Sequence, residues 1–149
     1  MEEYFIKLKE MAIGGLVLTI LGTFCPLITM PIMGSSNFYT GGGIKSIDGL
    51  IFIVLCAWIG YDIYKENFLS LRWKSILLFV DILISTFLNY IRIDNIKAKY
   101  LKEIEGNPFA ELGKGIMNSV GLSWGWGVMI IGACILLYAA FKLYNGEDE

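Results

Sequence analysis

The stretch Lys74-Ser-Ile-Leu-Leu-Phe-Val-Asp81-Ile-Leu-Ile-Ser85-Thr-Phe-Leu-Asn89-Tyr-Ile-Arg92 decides the fold: it is an apolar run of membrane-spanning length with one carboxylate inside it. As a helix rising about 1.5 Å per residue, it places Asp81 roughly 12 Å in from Trp73, far from either end of the run. An ionised Asp in mid-bilayer costs on the order of 2.5–3.5 kcal/mol, so Asp81 is expected to face protein or water rather than lipid, or to be protonated. Ser85 and Asn89 follow at i+4 and i+8, which predicts three polar side chains stacked on one helix face.

The rest of the chain has the same character. Of 149 residues, 56% are hydrophobic, which is outside the soluble range and points to the bilayer as solvent. Fourteen acidic residues against twelve basic ones give a net charge of −2, too balanced for a nucleic-acid partner. There is no His, and Cys25, Cys56 and Cys134 are scattered within apolar runs. His-based catalysis and a zinc set therefore lack their residues, and no cofactor, metal or catalytic group is expected. The acidic start and the absence of a small-residue cleavage site predict a retained first span rather than a removable signal.

Working outward from the central run, four spans are predicted, at residues 11–32, 48–64, 73–93 and 120–144, in a single domain over residues 1–149. The fold class is an all-α membrane protein: a four-helix transmembrane bundle with a short irregular or β first loop and an extended third helix. In the first span Gly15, Thr19 and Thr23 recur at i+4 with Gly22 beside them, a small-residue face that lets another helix approach. Pro26 is expected to kink or end this helix and Pro31 to close it. The loop at residues 34–48 is rich in turn formers; its glycines at 41–43 lack the order of a phosphate-binding loop.

Trp58, Tyr61 and Tyr64 trim the second span at the interface, and Lys65, Arg72 and Lys74 mark a short basic hairpin before the third. Beyond Arg92, Ile96, Tyr100, Leu101 and Ile104 keep helical spacing, so the third helix is expected to project to about residue 105, where Gly106-Asn107-Pro108 stops it. Phe109, Leu112, Ile116 and Met117 then suggest a short amphipathic turn at the interface. In the fourth span Gly125, Gly132 and Ala139 repeat every seven residues, a seam for left-handed packing, with Trp124 and Trp126 anchoring its start. Basic residues number six on each side of the membrane, but the nearly uncharged first loop and the short basic hairpin favour both termini in the cytoplasm.

The punctuation Gly14-Gly15 to Gly22 and Pro26, Pro31-x-x-Gly34, and Gly121-Leu-Ser-Trp-Gly-Trp-Gly127 resembles small prokaryotic four-span (tetraspan) membrane proteins of unassigned function, some of them fused to zinc ribbons. The plan of a β-rich first loop and a protruding third helix is also similar to the claudin-type layout. The first loop lacks the claudin W-x-n-G-L-W-x-x-C-x-n-C pattern, so a junction-forming role is not implied. The resemblance implies architecture and a prokaryotic inner or plasma membrane location, with no chemistry attached.

Two functions remain in view. The first is a non-enzymatic protein, embedded in the lipid bilayer, that acts through self-association or with a partner membrane protein, motivated by the small-residue seams at Gly15, Gly22, Gly125, Gly132 and Ala139. The second is an oligomeric channel or membrane-perturbing effector with Asp81, Ser85 and Asn89 lining the path. Asp81 is accordingly either a proton or cation site, or a structural group bonding to Thr19, Thr23 or Asn89 if the first and third spans are neighbours.

Overall fold

The computed structural model describes residues 2–30, 34–40 and 46–146; Pro31, the glycines at 41–43, Lys45 and the acidic tail at 147–149 lie outside the described residues. The longest element is the helix α3 (Phe68–Glu103), 36 residues. Its buried positions Phe68, Leu71, Ser75, Leu78, Ile82, Asn89 and Ile93 fall three, four or seven apart, a single stripe. Asn67 caps its start, accepting a hydrogen bond from the Ser70 N–H at 3.2 Å. Glu66, at φ 58°, turns the chain, so α2 (Ser46–Lys65) folds back on α3 through a two-residue link.

The closest helix pair joins the two ends of the chain. In α1 (Glu2–Phe24) and α5 (Gly125–Asn145), Gly22 faces Met129, Gly15 faces Gly132 and Leu136, and Phe5 faces Gly146, so the helices run antiparallel. Around them the bundle forms a ring in which α1 packs on α5 and α2, and α3 packs on α2 and α5. First and third helices sit diagonally.

A small antiparallel sheet covers one end, in the order β2-β1-β3, where β1 is Ile28–Met30, β2 is Gly34–Ser36 and β3 is Gly121–Leu122. Ile28 pairs with Ser36 on one side and with Leu122 on the other. Beneath the sheet, Trp126, Phe38 and Phe52 stack in a buried cluster, the ring centres 5.6 and 5.1 Å apart. The Leu27 carbonyl accepts from the Ser123 N–H at 2.9 Å and from the Trp126 indole at 3.0 Å, filling both lone pairs. Asn37 closes the end of α1, its amide donating to the otherwise orphaned Phe24 carbonyl at 3.0 Å. The short helix α4 (Ala110–Asn118) runs alongside the outer part of α3 and buries none of its own residues.

Several boundaries differ from the sequence reading. The first helix takes in the charged residues Lys7, Lys9 and Glu10, which its solvated first turns tolerate. It ends at Phe24 rather than near residue 32, because Pro26 cannot donate the next helical hydrogen bond. What was read as the tail of span one is β1, and the expected start of span four at residue 120 contains β3. The fold is therefore mostly helical with a three-stranded sheet, rather than all-α. The third strand comes from the far end of the chain, where Gly121 and Leu122 carry no pattern that separates them from a helix start.

Candidate functional site

The polar residues singled out from the sequence are not gathered at one place. Thr19 and Thr23 are fully buried on α1. Thr19 donates to the Gly15 carbonyl at 2.9 Å, and its own backbone lies against Gly132 of α5. Thr23 donates to the Ile20 carbonyl at 2.7 Å and lies 3.2 Å from the Tyr39 hydroxyl. α1 meets α3 where Phe5 and Lys9 approach Phe68, thirteen residues before Asp81, so neither threonine meets Asp81 and the expected bond between them is not made.

On α3, Asp81 and Ser85 are partly buried, while Asn89 lies in the buried stripe at 3% exposure. Eight residues advance a helix by about 80° beyond two full turns, so the expected single polar face is twisted apart. Lys74, one heptad before Asp81 on the same flank, reaches across to α2, and Asp48 in the first turn of α2 lies near enough to Asp81 to act on it electrostatically. Asp81 thus lies, partly buried, on the side of α3 turned toward α2. Among the described residues no hydrogen bond or ion pair reaches its carboxylate.

The small residues do come together, and with each other. A Cβ on Gly15 would lie 2.6 Å from the Leu136 backbone N, and one on Gly132 would lie 2.6 Å from the Thr19 N. Gly22 closes on Met129, and Ala139 is completely buried further along α5. Gly125 continues the seam beyond α1, against the Pro26 carbonyl. The seams that suggested contact with a second protein are used within this chain.

Sequence reasoning missed the charged end of the bundle. Lys74 Nζ lies 2.7 Å from Asp62 Oδ2, both side chains largely buried, and 4.0 Å from the centre of the Trp58 ring. Arg72 stacks 3.9 Å over the Tyr144 ring, and Lys9 reaches Glu66 at 2.6 Å, so all four long helices are tied at this end. A signal existed: Asp62 lies four residues before the turn at Glu66 and Asn67 and Lys74 seven residues after it, near enough for opposite charges to pair across a helical hairpin.

At the sheet end a cavity of about 170 Å³ opens between β1, α3 and the end of α4. Its wall is apolar apart from Asn89, Arg92 and Lys97. The Asn89 amide donates to the Ser85 carbonyl at 2.8 Å, leaving its buried Oδ1 without a partner among the described residues. Among the described residues no cluster of His, Cys, Asp or Glu could hold a metal ion.

Among the described residues two helices, Phe68–Glu103 and Gly125–Asn145, are long and apolar enough to cross a membrane. Compared with protein-family models, with curated proteins and with solved structures, the chain matches none.

Proposed function

We propose that the chain is a non-enzymatic membrane protein that crosses the bilayer four times and acts by binding another transmembrane helix, from a second copy or from a partner, in the groove between α2 and α3. The observation that carries this is Asp81. A carboxylate partly exposed on a lipid-facing groove, with no partner among the described residues, is costly in a bilayer, and a helix bringing a Lys, Arg or hydrogen-bond donor to that level relieves the cost.

Four spans are supported by the outward surface. Val17 and Leu21 on α1, Leu50 and Val54 on α2, Ile84 on α3 and Ile131 on α5 are all exposed, an apolar shell on every long helix that a protein in water does not carry. From Lys74 to Arg92 α3 covers about 27 Å, close to the hydrocarbon thickness of a bilayer. That placement puts the sheet at the headgroups and the outer part of α3, with α4, beyond them. A β-bearing first loop and a projecting third helix fit the tetraspan layout, and an inner or plasma membrane location with both termini cytoplasmic is part of the same proposal, resting on the nearly uncharged first loop and the short basic hairpin. A reporter active only outside the cytoplasm should then be silent when fused at the C-terminus and active when inserted after Thr40. An active C-terminal fusion would reverse the orientation, and matching signals at both points would refute four spans.

The association reading is tested by the mass of the purified protein in detergent and by ion flux in liposomes. Asp81→Leu is expected to release the bound copy or partner while leaving the helical circular dichroism spectrum intact, whereas Asp81→Asn, which keeps an acceptor and gains a donor, retains it. Cation flux through the wild type that disappears in Asp81→Asn would sink this reading in favour of a conduit.

A further inference from the structure

The outward side of α3 carries a second stripe that the bundle does not use. Leu77, Asp81, Ile84, Leu88, Ile91 and Asn95 follow one another at spacings of four and three, and Ala98 and Lys102 continue the series. At about 100° per residue this line lies some 140° around the helix from the buried stripe through Leu78, Ile82 and Ile93. Its apolar members Leu77, Ile84, Leu88 and Ile91 are between 39% and 55% exposed, so nothing in the chain covers them. The repeat is that of a left-handed coiled coil, and it runs unbroken from the lipid-facing part of α3 into the part beyond Arg92. α4 leaves it open, because Gly113 of α4 meets α3 at Tyr100, on the side opposite the stripe. Leu77 also borders the groove between α2 and α3, so the stripe begins at the site already described.

This surface is shaped for another helix. Leu88, Ile91, Arg92 and Asn95 border an open groove on α3, and they stand at i, i+3, i+4 and i+7, the four-sided hole that takes one side chain from a facing helix. With Asp81, Leu88 and Asn95 at a positions and Leu77, Ile84 and Ile91 at d, Asp94 falls at g and Lys99 at e. In a parallel pair a g residue faces the e residue five further along the other helix, so Asp94 of each copy meets Lys99 of the other. Among the described residues Asp94 has no ion pair, and Lys99 has only an exposed 4.0 Å approach to Glu103. A second copy enters the membrane in the same orientation, so its α3 is parallel and brings a matching stripe of equal length. Asn95 at an a position suits two strands.

We infer that the protein forms a parallel dimer in which the α3 helices of two copies pack along this stripe, Ile91 of each filling the hole between Leu88 and Asn95 of the other and Asp94 pairing with Lys99. Resting on the reading of Asp81 as the site of an incoming helix, this dimer supplies that helix. The two Asp81 carboxyls meet at one level and share a proton, so that one donates to the other.

The test is disulfide cross-linking of the full chain in membranes, with the exposed Cys134 replaced by Ser as background. Ala98→Cys, at a d position beyond the hydrocarbon, is expected to give about tenfold more dimer on mild oxidation than Ile96→Cys, which is exposed but off the stripe. Equal yields from the two overturn the stripe. In detergent, Asp94→Lys should weaken the dimer about tenfold, two ion pairs each being turned to repulsion, and adding Lys99→Asp should restore it. A dimer that the second change fails to restore overturns the register. Ala98→Cys joined only to a different protein overturns the second copy as occupant while leaving the role of Asp81 intact. A dimer that cross-links through Ala98→Cys and persists in Asp81→Leu upholds the α3 pairing and removes Asp81 as the group that drives it.

Discussion

Gly132→Leu is expected to abolish the folded state in detergent, and Gly132→Ala to lower stability by about 1–3 kcal/mol. A Cβ at this position meets the backbone N and the hydroxyl of Thr19, each at 2.6 Å, and the Gly15 carbonyl at 2.8 Å. Backbone cannot swing aside as a flexible side chain does, so the helices must separate. Separation costs more than one contact, because Ala12, Ala133 and Leu136 are also completely or almost completely buried in the same bundle. In a membrane, where lipid tails compete equally for apolar surface, close packing of this kind is the main attraction between helices. Gly14→Ala is the control: its added Cβ meets nothing within 4 Å, and the change should stay within about 0.5 kcal/mol. Thermal unfolding followed by circular dichroism measures all three, and a Gly132→Leu protein that melts with the wild type would show that α1 and α5 do not pack as described.

Lys74→Met should cost about 3–5 kcal/mol, the loss expected when one member of a buried ion pair is removed. The Asp62 side chain is only 5% exposed, and the 2.7 Å contact of its Oδ2 with Lys74 is an ion pair not aligned as a hydrogen bond, so that oxygen depends on the ammonium charge alone. Truncation leaves a carboxylate with neither water nor counter-ion. The same change removes the cation over Trp58. Replacing both partners, as Asp62→Leu with Lys74→Met, should recover most of the loss, since the cost lies in the orphaned charge more than in the missing attraction. A double-mutant cycle in a chemical denaturant reads the coupling directly, and additive losses would mean that the pair is solvated and weak.

Helix positions and the small-residue seams were legible in the sequence because both rest on local spacing. A repeat of Gly125, Gly132 and Ala139 at seven residues states that one side of a helix is narrow. It does not state what fills the narrow side, and here Gly15 and Gly22 of the same chain do. The link from Asp81 to Thr19 failed for the same reason: it needed neighbouring first and third helices, and the ring order that sets them diagonally is a property of packing between distant segments. β3 was illegible because two residues in a Gly-Leu-Ser-Trp context carry no alternation. Asn89 was noticed as polar, but its orphaned oxygen follows only from the back-bond to Ser85 and from its burial in the bundle.

Where the seam and the sheet draw their two halves from also sets a schedule. Leu27 and Trp126, joined by a hydrogen bond, are separated by 99 residues. At about 5–20 residues per second, α1 leaves the ribosome some 5–20 s before the helix that completes it. Throughout that interval its glycine face has no mate, and β1 has an open edge on the side that β3 later fills. The last fifth of the chain is therefore the clasp: translation that halts before Gly125 leaves α1 without its α5 partner, a product for the cell's quality-control proteases rather than a smaller version of the protein.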